Sequence, residues 1–132
     1  MPRNLVVDTH TLLFALTAPD RLGAAARRLL RDAEAGHAIA WIPAAVITEM
    51  VMLRELGRVA VGLPEIQITL ERTSSLRFLA IDLDQIDEFA ALTAIREPFD
   101  RLIVGAARAL DAVLITRDRT LAESGLVRVV WA

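Results

Sequence analysis

The chain contains no cysteine and no lysine, so all 15 of its basic residues are arginine. The lack of cysteine excludes disulfide bonds and thiolate metal sites, which leaves carboxylates and two histidines as candidate metal ligands. The lack of lysine disfavours a receiver-like signalling domain, because such domains generally place a lysine opposite a phosphate-accepting acidic pocket. Arginine suits bidentate contacts with phosphate groups.

Long apolar runs are also absent. The longest uncharged apolar stretch, residues 38–47, is too short to span a membrane and contains Pro43. The N-terminal segment MPRNLVVDTH has no apolar region typical of a signal peptide, so we expect a cytoplasmic protein. The net charge of −2 gives no global attraction to nucleic acid, although it is compatible with local basic patches.

No Ser/Gly linker, low-complexity tract or internal repeat interrupts the sequence, which predicts a single domain over residues 1–132. A chain of this length buries roughly 68% of its unfolded surface. Its 55% hydrophobic content is high for a soluble protein. Strands buried on both faces would explain this content, as would an apolar surface reserved for a partner.

The apolar pattern predicts alternating strands and helices. Strands are predicted at residues 5–7, 38–42, 78–81, 113–116 and 127–131, and helices at residues 12–16, 24–35, 44–56, 63–76, 85–93 and 98–110. Asp84 is predicted to cap the helix that starts at residue 85. Alternation with short connections indicates an α/β domain with a mostly parallel sheet covered by helices on both faces.

Four isolated acidic residues interrupt or end the apolar runs: Asp8, Glu49, Asp100 and Asp118. Ligands of open parallel sheets bind beyond the carboxyl ends of the strands, so the four side chains are expected to meet at that edge. Two carboxylates about 4 Å apart repel by roughly 4 kcal/mol at an effective dielectric constant near 20. A divalent cation, Mg²⁺ or Mn²⁺, would relieve this repulsion. Metal-dependent phosphodiester hydrolysis is therefore the leading hypothesis.

Each acidic residue also has an ordinary structural explanation. Asp8 and Asp118 could cap helices, and Asp100 could occupy the favourable first turn of a helix. Glu49 needs an arginine partner, a hydrogen-bond network or a metal. The reason is that it interrupts an apolar helical stripe formed by Ala45, Met52 and Leu56.

Further polar residues near the four acids are candidates for contacts with substrate or metal ligands. Thr9 follows Asp8, and Thr116 could hydrogen-bond a water or a metal ligand. Arg101 and Arg117 could guide a phosphate backbone or pair with nearby acids. His10 is expected to be a structural or surface residue. Packing roles are expected for the two tryptophans, Trp41 and Trp131.

Four segments carry a resemblance to a known family: VVDTHTLLFAL, AAVITEMVML followed by ELGRV, EPFDRLIVGAARAL, and VLITRDR. In this order and spacing, up to the terminal VRVVW, the chain resembles PIN-domain ribonuclease toxins of the VapC type, found in type II toxin–antitoxin systems. The resemblance implies a three-layer α/β/α PIN-like fold and Mg²⁺- or Mn²⁺-dependent endoribonuclease activity. It also implies an acidic pocket formed by Asp8, Glu49, Asp100 and Asp118. Glu97 departs from the family, where Asp is common, and is a candidate peripheral ligand.

The resemblance also implies partners. Such proteins cleave RNA, usually form homodimers and are neutralised by a small cognate antitoxin that lays a helix in an apolar groove. Met50, Met52 and Leu53 are candidates for lining this groove. The alternative function is a non-catalytic interaction module, in which the acidic pocket binds a basic segment of a partner protein.

Overall fold

A computed structural model describes residues 2–132. Five strands form one sheet in the order β3-β2-β1-β4-β5, and every neighbouring pair is parallel. The strands are β1 (Arg3–Val7), β2 (Ala38–Pro43), β3 (Leu76–Leu79), β4 (Val113–Ile115) and β5 (Val129–Val130). The predicted parallel sheet is confirmed.

Seven α-helices connect the strands. They are α1 (Thr9–Thr17), α2 (Ala24–Glu34), α3 (Ala44–Glu55), α4 (Leu63–Arg72), α5 (Leu83–Ala91), α6 (Pro98–Ala109) and α7 (Arg119–Glu123). A single 3-10 turn, Pro19–Arg21, separates α1 from α2. Within residues 2–132, none of the helices has the length and apolar character needed to cross a membrane.

The core lies on both faces of the sheet. Successive residues of a strand point to opposite faces, yet Leu5, Val6 and Val7 of β1 are all at most 2% exposed. Helices therefore cover both sides of β1, as expected for a parallel sheet in an α/β protein. Burying a side chain of this kind contributes about 1.5–3 kcal/mol, so the central strand is a major source of stability.

The predicted boundaries are wrong around the third strand. Helix α4 ends at Arg72 rather than at residue 76, because Thr73 starts a turn in which its carbonyl accepts from Leu76 N at 3.2 Å. Strand β3 consequently begins at Leu76, two residues before the predicted start. Serine and threonine have low helix propensity, which agrees with the early end of the helix in this Thr-Ser-Ser segment.

The capping residue of α5 also differs from the prediction. Asp82 caps this helix, since its Oδ1 accepts from Gln85 N at 2.9 Å, and the predicted cap Asp84 lies within the first turn. Strand β5 covers only two residues of the predicted segment 127–131. The short helix that Asp118 was expected to cap is present as α7.

Strand order fixes where a ligand can enter. The chain leaves β1 toward β2 and β3 on one side, and later returns to β4 and β5 on the other side. The order therefore reverses between β1 and β4, which is the position where open parallel sheets bind ligands at the carboxyl ends of their strands. The residues that follow Val7 and Ile115, which are paired in register, face this switch point.

Candidate functional site

A cleft of about 390 Å³ opens at the switch point between β1 and β4. It brings together all four predicted acidic residues, each from a different part of the chain. The cleft is lined by Asp8, Thr9, His10, Glu49, Asp100, Ile103, Thr116, Arg117 and Asp118. The described residues contain no ion pair to any of the four carboxylates, so arginine partners do not account for their grouping.

Asp8 is held by donors on both carboxylate oxygens. Its Oδ1 accepts from Thr11 N at 2.9 Å and lies 2.6 Å from the Thr11 hydroxyl, whereas its Oδ2 accepts from the Thr116 hydroxyl. The parallel register places Thr116 beside Asp8, because the preceding residues Val7 and Ile115 are paired. Asp8 therefore caps α1 and lines the cleft at once, so the capping role is confirmed and leaves the carboxylate in the cleft.

Thr11 is a supporting residue that the sequence did not single out. It is fully buried, and its hydroxyl also lies 2.7 Å from the carbonyl oxygen of Ile115. The single hydroxyl proton is thus shared between a strand carbonyl and the Asp8 carboxylate. Helix α1 is in this way tied to β4 at the point where the cleft begins. The spacing of a threonine three residues after a strand-end Asp is the feature that identifies it.

Glu49 projects from α3 and accepts a hydrogen bond from the Thr9 hydroxyl through Oε1. The expectation of a buried apolar stripe around it is only partly correct. Ala45 is 3% exposed, but Met52 and Leu56 are 45% and 64% exposed. Glu49 therefore lies where α3 passes from the core to the surface, and a hydroxyl partner satisfies it without an arginine.

Asp100 lies in the first turn of α6, and Glu97 is the cap of that helix. The Glu97 Oε2 accepts from the backbone N of Asp100 at 2.6 Å. Burial raises the pKa of Asp100 from 3.8 to about 6, with further contributions from Glu97, Asp118, Glu49 and Asp8 in decreasing order. The charges of Glu97 and of the other three acids of the cleft therefore all act on Asp100. Glu97 contributes as a neighbouring charge, although it does not line the cleft.

Asp118 and Asp8 are connected through one hydroxyl group. The Thr116 Oγ1 donates to Asp8 and accepts from Asp118 N at 3.1 Å, while Asp118 Oδ1 accepts from Leu121 N at 3.1 Å. Asp118 consequently caps α7 and lines the cleft, as Asp8 does for α1. Thr116 is 1% exposed, so this connection is shielded from solvent.

The two predicted phosphate-guiding arginines have different positions. Arg117 lines the cleft, with its guanidinium 5.0 Å from the centre of the Phe14 ring. Arg101 does not line it. Its Nε donates to the Phe89 carbonyl at 2.8 Å, and its guanidinium lies 4.2 Å from the centre of the Phe89 ring. Arg101 thus stabilises the packing of α6 against α5.

Two other residues that line the cleft, His10 and Ile103, were not predicted as site residues. His10 was expected to be structural or at the surface, and it is an exposed side chain at the cleft. Ile103 is a buried residue one turn after Asp100 and is the apolar residue among those that line the cleft. Position was the available indication for His10, because it follows a strand-end Asp by two residues.

The four carboxylates of the cleft are hard oxygen ligands, which suit Mg²⁺ or Mn²⁺. Within residues 2–132, no three His, Asp or Glu side chains are arranged to hold a metal ion together. Mg²⁺ usually takes one or two protein carboxylates and keeps several waters, so the carboxylates of the cleft could hold such an ion without a three-ligand cage.

The family model described as the PIN domain matches residues 5–125. The chain belongs to the PIN-domain family. PIN-domain nucleases generally use divalent metal ions, which agrees with the oxygen-rich cleft of this PIN domain. No curated protein matches the chain in sequence.

Solved structures share the fold of this PIN domain at low sequence identity. A chain of VapBC2 from Rickettsia felis, bound to a promoter DNA fragment, aligns with a TM-score of 0.72 and 16% identity, covering 98% of this chain and 99% of that chain. A chain of DNA-bound VapBC from Salmonella typhimurium gives 0.70 and 16%, covering 98% of each. A toxin–antitoxin complex from Klebsiella pneumoniae gives 0.64 and 21%, covering 96% and 95%.

Proposed function

We propose that residues 1–132 form one PIN domain that acts as a metal-dependent endoribonuclease, the VapC-type toxin of a type II toxin–antitoxin pair. The observation that carries the proposal is the cleft in which Asp8, Glu49, Asp100 and Asp118 converge without arginine partners. Similarity in fold to chains from toxin–antitoxin complexes supports the toxin assignment.

In this proposal Asp8 is the principal metal-binding carboxylate, and Asp100, Asp118 and Glu49 bind directly or through water. Mg²⁺ or Mn²⁺ bound at such a site supplies an activated water and neutralises phosphate charge. The hydroxyls of Thr11 and Thr116 orient Asp8. Such supporting contacts fix the direction of the carboxylate lone pairs and so the position of a bound cation.

The remaining residues of the cleft control the electrostatics and the access of RNA. The Thr9 hydroxyl holds Glu49 through a hydrogen bond, and Ile103 contributes an apolar side chain to the lining. Arg117 at the rim can pair with a phosphate group, which compensates for the local negative charge that would otherwise repel RNA. Arg101 has no direct role in this account, because it is engaged with α5.

Homodimerisation and binding of an antitoxin form part of the same proposal. Eight large apolar side chains between Met52 and Ile86 are exposed and are candidates for the partner surface, because contiguous apolar patches mark protein interfaces. They are Met52, Leu56, Leu63, Ile68, Phe78, Ile81, Leu83 and Ile86. Met50 was a candidate for the antitoxin groove, but its complete burial assigns it to the core.

RNA cleavage with purified protein tests the enzymatic part of the proposal. We expect single-stranded RNA to be cut in the presence of Mn²⁺ or Mg²⁺ and to remain intact with a chelator. Asp8→Asn should abolish the cleavage, whereas Asp84→Asn should retain it. Asp84 is a matched control because it is an exposed acid in the first turn of α5, outside the cleft.

The interaction-module alternative makes a different prediction for the same preparations. It requires that the parent protein cut no RNA, bind no divalent metal and bind a basic peptide through the acidic cleft. That combination of results would remove the nuclease proposal. A product of the adjacent reading frame that co-purifies with the chain and suppresses cleavage would support the toxin–antitoxin assignment.

A further inference from the structure

A second cleft continues directly from the acidic cleft and has a different chemical character. It has a volume of about 490 Å³ and shares Thr116, Arg117 and Asp118 with the acidic cleft. Its other walls are mainly apolar, from Ala122 on α7 and Trp131 after β5. We refer to it as the Trp131 cleft. A ligand that occupies both clefts must combine a charged part with a flat or apolar part.

Strand register places Trp131 in the same row of the sheet as Asp8 and Thr116, which line the acidic cleft. Ile115 pairs with Val7 on one side and with Val130 on the other, so the next residues in the row are Asp8, Thr116 and Trp131. Neighbouring strands lie about 4.8 Å apart, which puts Trp131 about 10 Å from Asp8 along the carboxyl edge of the sheet. This separation is comparable to the span from a phosphate group to the far edge of the attached nucleobase.

Trp131 is a fixed wall of the cleft. Its carbonyl oxygen accepts from Ala26 N at 3.0 Å, and its backbone approaches Gly23 so closely that a Cβ there would lie 2.0 Å from that oxygen. Its ring is 6.3 Å from that of Phe14. The side chain is nevertheless only half-buried, so part of the indole is open to a ligand.

Two arginines line these clefts. Arg117 lines both of them at their junction, and Arg119 lines the Trp131 cleft. In the described part of the chain, neither arginine forms an ion pair with a carboxylate. They are therefore available to phosphate groups, although the chain as a whole is slightly acidic.

We propose that the Trp131 cleft binds the nucleobase next to the scissile phosphate of a single-stranded RNA, with Arg117 contacting the backbone at the junction. This inference rests on the proposed nuclease function. Aromatic stacking suits single-stranded RNA because every unstacked base offers a π-face. The apolar walls discriminate weakly between bases, so this cleft supports binding and positioning more than sequence choice.

Ala122→Leu is the variant that tests this site with the least disturbance of the fold. Ala122 is an exposed residue of α7, and a larger side chain there would fill the cleft without removing a core contact. Stacking contributions of the usual size predict a rise in KM of about 5- to 150-fold. Thr120→Leu is the matched control, because Thr120 is exposed on the same helix and does not line the cleft.

A double-mutant cycle with the substrate distinguishes base binding from a general effect on the enzyme. After the cut site of an oligoribonucleotide has been mapped, single abasic nucleotides are placed on either side of it. One abasic position should raise the KM of the wild type as strongly as Ala122→Leu does, with no further rise when both changes are combined. An unchanged KM for Ala122→Leu, or fully additive effects, would overturn the inference. Either result would leave the nuclease function intact.

Fluorescence provides a test that does not depend on cleavage. Trp41→Phe leaves Trp131 as the only tryptophan, and Trp131→Phe leaves Trp41 as the only one. Single-stranded RNA added with a chelator should quench the fluorescence of the Trp41→Phe protein and leave that of the Trp131→Phe protein unchanged. The absence of quenching in Trp41→Phe at RNA concentrations that saturate binding would contradict base stacking on Trp131. If RNA does not bind at all, both the inference and the proposed function fail.

Discussion

Replacing Asp100 with asparagine should stabilise the metal-free protein at neutral pH. The carboxyl group is half-buried beside four other acids, and its pKa is raised from 3.8 to about 6. Burial is the largest cause, followed by the charge of Glu97. Asparagine has nearly the same shape and carries no charge, so Asp100→Asn removes the repulsion while preserving the packing of α6. A substitution that keeps the shape of a side chain but stabilises the protein is expected where the carboxylate serves function rather than stability.

The sign of the pH dependence follows from the direction of the pKa change. Because the folded-state pKa exceeds the unfolded value, the native protein binds this proton more tightly, and stability falls as pH rises from about 4 to about 6. A pKa change of this size corresponds to a loss of about 3 kcal/mol in the free energy of unfolding for a fully buried group. Solvent screening in an open cleft reduces it to about 1–2 kcal/mol. The stabilisation by Asp100→Asn should therefore be complete above pH 7 and absent near pH 4.

Thermal unfolding between pH 4 and pH 8, with a chelator present, measures this effect. For a domain of this size we expect a Tm increase of about 3–8 °C at pH 7.5. Asp84→Asn serves as the control and should be neutral or slightly destabilising at every pH. Saturating Mn²⁺ should raise the Tm of the parent and reduce the advantage of the variant. A destabilised Asp100→Asn protein, or a stability difference independent of pH, would refute the electrostatic reasoning.

Three further substitutions probe the supporting contacts. Thr116→Val removes the hydroxyl between Asp8 and Asp118, and we expect kcat/KM and Mn²⁺ affinity to fall about 10- to 100-fold; unchanged values would contradict this. Glu97→Gln keeps an oxygen to cap α6 but removes its charge, so the pKa of Asp100, followed by NMR titration, should fall toward 3.8. Arg101→Met should lower the free energy of unfolding by about 1–2 kcal/mol without changing the salt dependence of RNA binding. An altered salt dependence would show that Arg101 contacts RNA.

Much of the fold was predictable because local pattern and tertiary structure agree. The buried strand before Asp8 and the one before Thr116 are short apolar runs, and the helices between strands have clear boundaries at Pro43 and Pro98. The region around β3 was less predictable. Its strand is at the sheet edge and half exposed, so hydrophobicity does not distinguish it from the preceding helix.

The four acidic residues were predictable as a group, but their partners were not. Each one ends or interrupts an apolar run, and the strand order then brings them to one cleft. Contacts such as Thr9 with Glu49 or Thr116 with Asp8 join residues far apart in sequence, and local patterns carry no information about them. The position of Arg101 was unpredictable for the same reason, because its partners are backbone carbonyls of α5.

The position of Trp131 in the wall of a cleft depended on tertiary structure. Aromatic residues near strand ends usually pack in cores, which was the expectation for both tryptophans. Trp41 fits this expectation, since it is half-buried and its Nε1 donates to Asn4 Oδ1 at 3.0 Å. Trp131 fits it as well, since it is also half-buried and packs against the core beside Phe14, but it additionally lines a cleft.

Calorimetric titration of Mn²⁺ into the purified protein at pH 7.5 tests the central claim most directly. We expect saturable binding to the parent and to Asp84→Asn, with binding lost or greatly weakened in Asp8→Asn, whose fold is checked by circular dichroism. Absence of binding to the parent, or equal affinity in the folded Asp8→Asn protein, would contradict the assignment of the acidic cleft as a metal site.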